Sequence, residues 1–375
     1  GVPTLGNQEC NVKIGWWKIS DKSELVFFLA DLLFFPEYLS QRLRAHFVET
    51  YNLPSSQIIF AGTHTHSAPG LGFLPWESEH KDYQDKVFEK IKTALPELVK
   101  STKEVKVEQV TVSLPPISVN RRKKLINWRN GLKKRALMMP DQNGPVNNRM
   151  KLIRFVSEAK TDWFATYGSH PVFNRNEEIS SDYPGLLSQF MIERFDLGEV
   201  FCFQGYGGDV RPDYRGKSGL KAFLKSLYQG KEFADYSKEQ LEDFCSRISE
   251  KMKGEVLDWR PISPTDLEEK ESFFEIRSVT GQTSKRLRLR TITVAKELRF
   301  FLANTELFSD YEKMLPGEFF PIGCCQGNIG YLPTSKELPW GGYEVVQAAL
   351  NNGMDSPISN ESVKEVEKWF GGLSD

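Results

Sequence analysis

The feature that most constrains this chain is a repeated pattern of short apolar runs, each ending in a polar or glycine-rich cluster. Val26 to Leu29 leads into Asp31, and Ile58 to Ala61 into Gly62-Thr63-His64-Thr65-His66-Ser67. Trp163 to Tyr167 leads into Gly168-Ser169-His170-Pro171, and Val200 to Phe203 into Gly205-Tyr206-Gly207-Gly208-Asp209. Leu298 to Ala303 follows the alternating stretch Leu287 to Val294 and leads into Asn304-Thr305-Glu306. Apolar runs of this length, bounded by turn residues, read as buried strands. In an open α/β sheet, chemistry collects beyond the carboxyl ends of the strands, so these clusters are expected to meet in one site.

Between the runs lie helical patterns. Pro36 to Tyr51 is amphipathic, and Pro36 suits a first turn. Lys81 to Lys100, Ser188 to Phe195 and Ser362 to Phe370 follow, with Ser237 to Lys253 as a long exposed helix. Strands alternating with helices predict an α/β fold of layered mixed β-sheets flanked by helices. At 375 residues the chain is read as one catalytic domain spanning 1–375. The polar stretch from about Lys217 to Thr283 differs in tone from its flanks and reads as a Lys-rich helical insertion.

Composition narrows the partners. Lys and Arg number 49 against 50 Asp and Glu, a net charge of -1. That balance argues against nucleic acid or an anionic membrane as the main partner, since both need a basic excess. Arg121 to Arg135 is locally basic and reads as a solvated loop. Five cysteines, of which Cys324 and Cys325 are adjacent and none forms a CxxC pair, argue against a disulfide framework and a cysteine zinc site. The most apolar run, Leu25 to Phe35, carries Asp31 and is shorter than a bilayer span. The chain opens on Gly1 rather than Met, as a processed export product would, which points to a periplasmic or secreted protein.

Histidine is scarce, and two of the five stand together as His64-Thr65-His66. On extended chain, residues two apart point to one face. That suits one imidazole on a metal and the other on substrate, both on one ion, or a polar pair with no ligand. His170 follows a separate strand, and separate strands can deliver ligands to a single point. His46 and His80 read as ordinary helix-surface positions.

The residues from Gly62 to Gly70 resemble the glycine-threonine-His-threonine-His-serine loop of the neutral, non-lysosomal ceramidases. His170-Pro171-Val172 with Ser181-Asp182 is similar to that family's second His segment, and Gly208-Asp209-Val210-Arg211-Pro212 to its Gly-Asp-Val-Ser-Pro segment. Asn120-Arg121 resembles its Asn-Arg pair. Ala303 to Phe308 sits where the family has a strand ending in Pro-Gly-Glu-Phe. Asn328-Ile329-Gly330-Tyr331 and Gly342-Tyr343-Glu344 resemble a late pair of tyrosines. The resemblance runs from about Val26 to Val346. It implies a catalytic zinc held by His64, His170, Glu306 and Tyr331, with His66, Arg121 and Tyr343 lining the reacting centre. It further implies hydrolysis of an N-acyl sphingoid amide by metal-activated water, in which zinc lowers the pKa of water from ~16 to about 7. The small-molecule or lipid substrate would then enter by an apolar, membrane-facing mouth, for which Phe73-Leu74-Pro75-Trp76 stands beside the His loop, giving a peripheral membrane contact.

Each residue has a second reading. Glu306 could cap a helix beginning near Leu307, and Gly317-Glu318-Phe319 matches the family text better. Tyr331 and Tyr343 could be ordinary half-buried tyrosines, and Arg121 one more surface charge. Asp182 and Asp209 could orient a histidine or be turn residues. Arg211 replaces the family serine and could meet a charged or sugar-like substrate. The opening strand is shortened to Gly1 to Glu9, and the family's additional C-terminal β-sandwich is not in the 375 residues. Two other functions therefore stand beside ceramide hydrolysis: a zinc hydrolase of a polar N-acyl or ester substrate such as a modified sugar, and a non-catalytic binding homologue.

Overall fold

The strand Glu24–Ala30 runs through the centre of the molecule with both faces covered. Leu25, Phe27 and Leu29 point to one side, Val26, Phe28 and Ala30 to the other, as the two-residue period requires. It pairs antiparallel with Val12–Lys18 and parallel with Ile58–Gly62. This computed structural model describes residues 9–72, 78–127, 133–174, 178–216, 232–234, 236–254, 256–325 and 327–373.

On the outer side, Val26, Phe28, Ile58 and Phe60 pack against Leu39, Leu43 and Phe47 of the helix Glu37–Tyr51 and against Phe88, Ile91 and Leu95 of the helix Lys81–Lys100. On the inner side, Phe27 meets Phe164 and Phe300, with ring centroids 4.9 and 5.1 Å apart. Phe164 belongs to a five-stranded sheet ordered Arg260–Ile262, Lys106–Ser113, Arg149–Val156, Thr161–Tyr167, Val200–Gln204, whose last pair is parallel. Phe300 belongs to a four-stranded sheet of Glu268–Arg277, Ser284–Ala295, Leu298–Ala303 and Phe319–Ile322, whose last pair is also parallel. Helices cover the far faces of both: Asp182–Phe195 and Lys238–Lys253 on the first, Asn360–Gly371 on the second. The fold is thus α/β, with mixed sheets layered between helices.

Three local expectations differ from the structure. The helix expected from Ser188 starts at Asp182, because Pro184 stands in its first turn, where a missing N–H costs nothing. The helix Lys238–Lys253 is not an exposed one. Leu241, Phe244, Ile248 and Met252 recur at three- and four-residue spacing and bury one face against Tyr183, Leu187 and Met191. The basic stretch Arg121 to Arg135 is a hairpin of Ser118–Asn127 and Lys133–Asp141, not a loop, and Arg121 and Arg122 are buried in it. Across 217–283, described residues form that one helix and then the strands Arg260–Ile262 and Glu268–Arg277. Residues 217–231 and Phe73 to Trp76 lie outside the described residues. Among the described residues no helix is long and apolar enough to cross a membrane.

A buried acid behind the sheets supplies a stability test. Glu312, in the helix Ser309–Lys313, accepts a hydrogen bond from Asn147 Nδ2, and burial pushes its carboxyl from 4.5 up to about 7, with Lys151 and Arg149 opposing the rise. A raised folded-state value means that the folded protein holds this proton more tightly than the unfolded chain. The stability it contributes is therefore present at low pH and lost as pH rises through about 7. Glu312→Gln is expected to remove that loss. The stability of the native protein relative to the variant should fall by roughly 3 kcal/mol between pH 4.5 and 7 in urea titrations. A difference independent of pH would refute the assignment.

Candidate active site

The carboxyl ends of the strands converge as the sequence pattern requires, but the local geometry of the His loop is different. His64 adopts a left-handed backbone, φ 67°, so the pair His64 and His66 does not lie on extended chain. His64 N donates to Leu32 O at 2.9 Å, and His66 N to Pro171 O at 3.4 Å. The turn breaks the two-residue alternation, and the second bond draws His66 toward the loop that carries His170. The three imidazoles still meet: ring centroids are 5.0 Å apart for His64 and His66, 5.1 Å for His64 and His170, and 5.8 Å for His66 and His170. A left-handed non-glycine residue costs on the order of 1 kcal/mol, so the surrounding structure must hold it.

Glu306 completes the centre. It is in the short strand Glu306–Leu307, parallel to Tyr331–Leu332, and its direct register partner is Tyr331. Its Oε2 is 3.1 Å from His64 Nε2 and 3.0 Å from His170 Nε2. The helix that follows starts at Ser309, so Glu306 does not cap it. Glu318 faces Arg299 at 3.8 Å on a partly exposed rim, away from the histidines. Two glycines permit the convergence. A Cβ on Gly168 would lie 2.4 Å from Tyr206 O, and one on Gly208 2.7 Å from Glu306 O.

Hydrogen bonds set the tautomers. His64 Nδ1 faces Leu33 O at 3.1 Å, and His170 Nδ1 faces Gly207 O at 2.9 Å and Val210 O at 3.1 Å. A carbonyl only accepts, so Nδ1 carries a proton in both rings and each Nε2 faces the centre. Cys324 Sγ also lies 3.3 Å from His64 Nδ1. Burial, then the charge of Arg121, pushes His170 down to about 4. His66 is held well below the usual range by desolvation among its neighbours and then by His64 and His170, although the residue is exposed. Burial alone would raise Glu306, but His64 and His170 outweigh it and hold the carboxyl well below its usual range. The centre therefore sets an ionised carboxylate beside two imidazoles, those of His170 and His66, that resist protonation.

The remaining residues form a donor wall. Tyr331 Oη is 3.2 Å from His170 Nε2, and Arg121 Nη2 donates to Tyr331 Oη at 3.0 Å. Burial opposes the charge on Arg121, but Tyr331, Glu344 and Glu306 more than offset it, so Arg121 stays charged. It is no surface residue. Tyr343 stands at the rim, 40% exposed, with its ring 6.1 Å from that of Tyr331. The two candidate acids have other uses. Asp209 accepts from Asn120 Nδ2 and Ser309 N, both at 2.7 Å, and Asp182 from the backbone of Asn174 and Tyr183. Arg211 is buried, with its guanidinium over the rings of Phe233 and Tyr236 and its Nε donating to Tyr236 Oη at 2.7 Å. His46 and His80 lie away from the centre, on the first helix and at the start of the second. Sequence reading missed Arg122, Glu337 and Glu344, which buttress Arg121, and Cys324. The only signal was the run of four cations from Arg121 to Lys124 within one strand.

One nitrogen on each of His64, His66 and His170 lies within 4.8 Å of the others, so the three could hold a metal ion. The fit extends to Glu306. His64 Nε2 is buried and accepts no hydrogen bond, yet faces a carboxylate oxygen at 3.1 Å. Two lone pairs at that distance repel unless a proton or a cation lies between them, and the neutral imidazole plus carboxylate set is one that zinc accepts.

Structural comparison places the fold. The chain superimposes on a crystal structure of neutral ceramidase from Pseudomonas aeruginosa with a TM-score of 0.65 and 14% sequence identity, over 94% of this chain and 66% of that one. A structure described as ceramidase complexed with C2 matches with a TM-score of 0.63 and 14% identity, over 95% of this chain and 67% of that one. The fold is ceramidase-like. No family model and no curated protein sequence matches the chain.

The close approach at Gly208 is testable. Gly208→Ala forces the backbone of Glu306 to shift, because the atom in the way is a carbonyl and not a flexible side-chain end. A loss of about 1–3 kcal/mol is expected in urea unfolding. An alanine variant as stable as the parent would show that the two loops do not touch as described.

Proposed function

We propose that this chain is a zinc-dependent hydrolase that cleaves the amide of an N-acyl, ceramide-like lipid. One observation carries the reading: two buried imidazoles, an ionised carboxylate and a phenol converge from four separate segments, next to a charged guanidinium. His64, His170, Glu306 and Tyr331 would hold the zinc, with His66 close enough to join or replace one of them. Bound there, zinc would act as a Lewis acid and make water a competent nucleophile near neutral pH.

The chain's own residues divide the rest of the work. His66 is neutral and reaches solvent, so it can take a proton from the attacking water and pass it to the departing amine. Arg121 and Tyr343 both stand beside Tyr331, and as donors they can bind the oxygen on which negative charge develops. The ceramidase-like fold supports a lipid amide as the substrate. The burial of Arg211 against two aromatic rings weakens the case for a sugar-like one.

The test joins metal analysis to substrate choice. Purified protein is expected to carry about one zinc per chain, to lose activity to a chelator and to regain it with zinc. Fatty acid release from ceramide is compared with turnover of small chromogenic amides and esters. Ester or sugar turnover without lipid turnover would reject the ceramide reading, and absence of zinc with no hydrolysis on its addition would reject the enzyme. His64→Ala is expected to abolish both zinc binding and turnover. Tyr343→Phe should keep the zinc and lower kcat by about 10²-fold, the usual effect of removing one oxyanion donor.

A further inference from the structure

Arg121 and Arg122 are consecutive on a strand, so their side chains should leave opposite faces. Instead both reach one buried carboxylate. Glu344 accepts from Arg121 Nε at 2.8 Å and from Arg122 Nη1 at 2.6 Å. The reason is local: the ladder between Ser118–Asn127 and Lys133–Asp141 shifts register between Asn120 and Arg122. Such a bulge re-aims side chains and is common beside active sites.

Further polar contacts extend the cluster. Arg122 Nε faces Glu337 at 3.3 Å, and its Nη2 donates to Gly341 O at 2.8 Å. Lys124 Nζ reaches the second oxygen of Glu337 at 2.6 Å. Arg121 Nη2 donates to Gly208 O at 2.8 Å and to Tyr331 Oη at 3.0 Å. Both arginines and both glutamates are buried. Three cations thus meet two carboxylates, and the end of the network that reaches the reacting centre is the Arg121 guanidinium.

We infer that Glu344 is a positioning residue: it clamps Arg121 by Nε, with Arg122 as its counter-anchor, so that Nη2 is presented at Tyr331. The inference rests on the hydrolase reading above and assigns no contact between Glu344 and substrate. It also ties two donors together. Glu344 follows Tyr343 in a π-helical turn that begins after Gly341 and Gly342, both with positive φ. The residue that orients Arg121 from behind therefore also fixes the start of the turn that presents Tyr343. A single carboxylate sets the spacing of the two groups proposed to bind the developing oxyanion.

The test uses Glu344→Gln, which keeps shape but cannot charge-pair with two guanidiniums. Expected is a kcat lower by about 10²-fold with KM changed by less than about 2-fold, as for an interaction made only in the transition state. Zinc content should stay at the parent's level. Glu344→Asp, which keeps the charge on a shorter arm, should recover roughly 10-fold of that loss. Where Glu344→Gln fails to fold, Arg122→Lys removes the counter-anchor's fork and should lower kcat in the same direction. A crystal structure of the variant reads the claim without activity: Arg121 Nη2 is expected to leave Tyr331 while His64, His170 and Glu306 stay in place. An unchanged kcat, a loss that only follows the zinc content, or Arg121 unmoved in the variant would overturn the inference. If the parent protein hydrolyses nothing, the hydrolase reading fails, and the crystal structure still decides whether Glu344 sets Arg121.

Discussion

A carboxylate held 3.0–3.1 Å from two imidazole nitrogens, out of water, is the contact on which the rest of the site depends. Burying an ionised acid is costly unless something of opposite character meets it. Here each imidazole turns its Nε2 toward the acid, because its Nδ1 proton is committed to a backbone carbonyl. The arrangement is one that could hold a metal ion. That is why the backbone carbonyls of Leu33, Gly207 and Val210 matter as much as the imidazoles: they decide which nitrogen faces inward.

The scaffold makes this contact affordable by sharing one seam. Gly62 N bonds Cys324 O, Cys325 N bonds Ala303 O, and Gly208 N bonds Leu307 O. The three-stranded sheet that ends at the His loop, the sheet that ends at His170 and the sheet that ends at Glu306 are thereby joined at their carboxyl ends. Behind them, Phe27, Phe164, Phe203, Phe300 and Phe320 form one core between the sheets. Layers packed at interior density deform little, and that stiffness supports a left-handed His64 and the close approaches at Gly168 and Gly208. A separate polar layer, Asp209 with Asn120 and Ser309, binds the hairpin carrying Arg121 to the segment after Glu306. Burial raises its carboxyl to about 6, against the pull of those hydrogen bonds.

Much of the fold was legible in the sequence where burial and periodicity act together. Runs such as Ile58–Gly62 and Val200–Gln204 are covered on both sides, so they are continuously apolar and short. The helix Lys81–Lys100 shows its apolar stripe at the spacing that packing demands. Legibility failed where a local rule was overruled. Pro184-Gly185 resembles a helix stop but occupies a first turn, and Arg121-Arg122 resembles solvated charge but is folded inward onto Glu337 and Glu344. Partners more than two hundred residues away along the chain leave no periodic trace beside the arginines.

The sequence by itself determined the five buried apolar strands, such as Ile58–Gly62 and Val200–Gln204, and that their polar ends are rich in histidine and acid, since both follow from local composition and spacing. Glu306 came from the family resemblance, with the apolar strand before it favouring it over Glu318. Only the tertiary structure decided that His64 turns left-handed, that Nε2 faces inward, and that one glutamate grips two arginines. Those outcomes depend on carbonyls, register shifts and neighbours brought together from distant parts of the chain, and no local pattern encodes a distance between strangers.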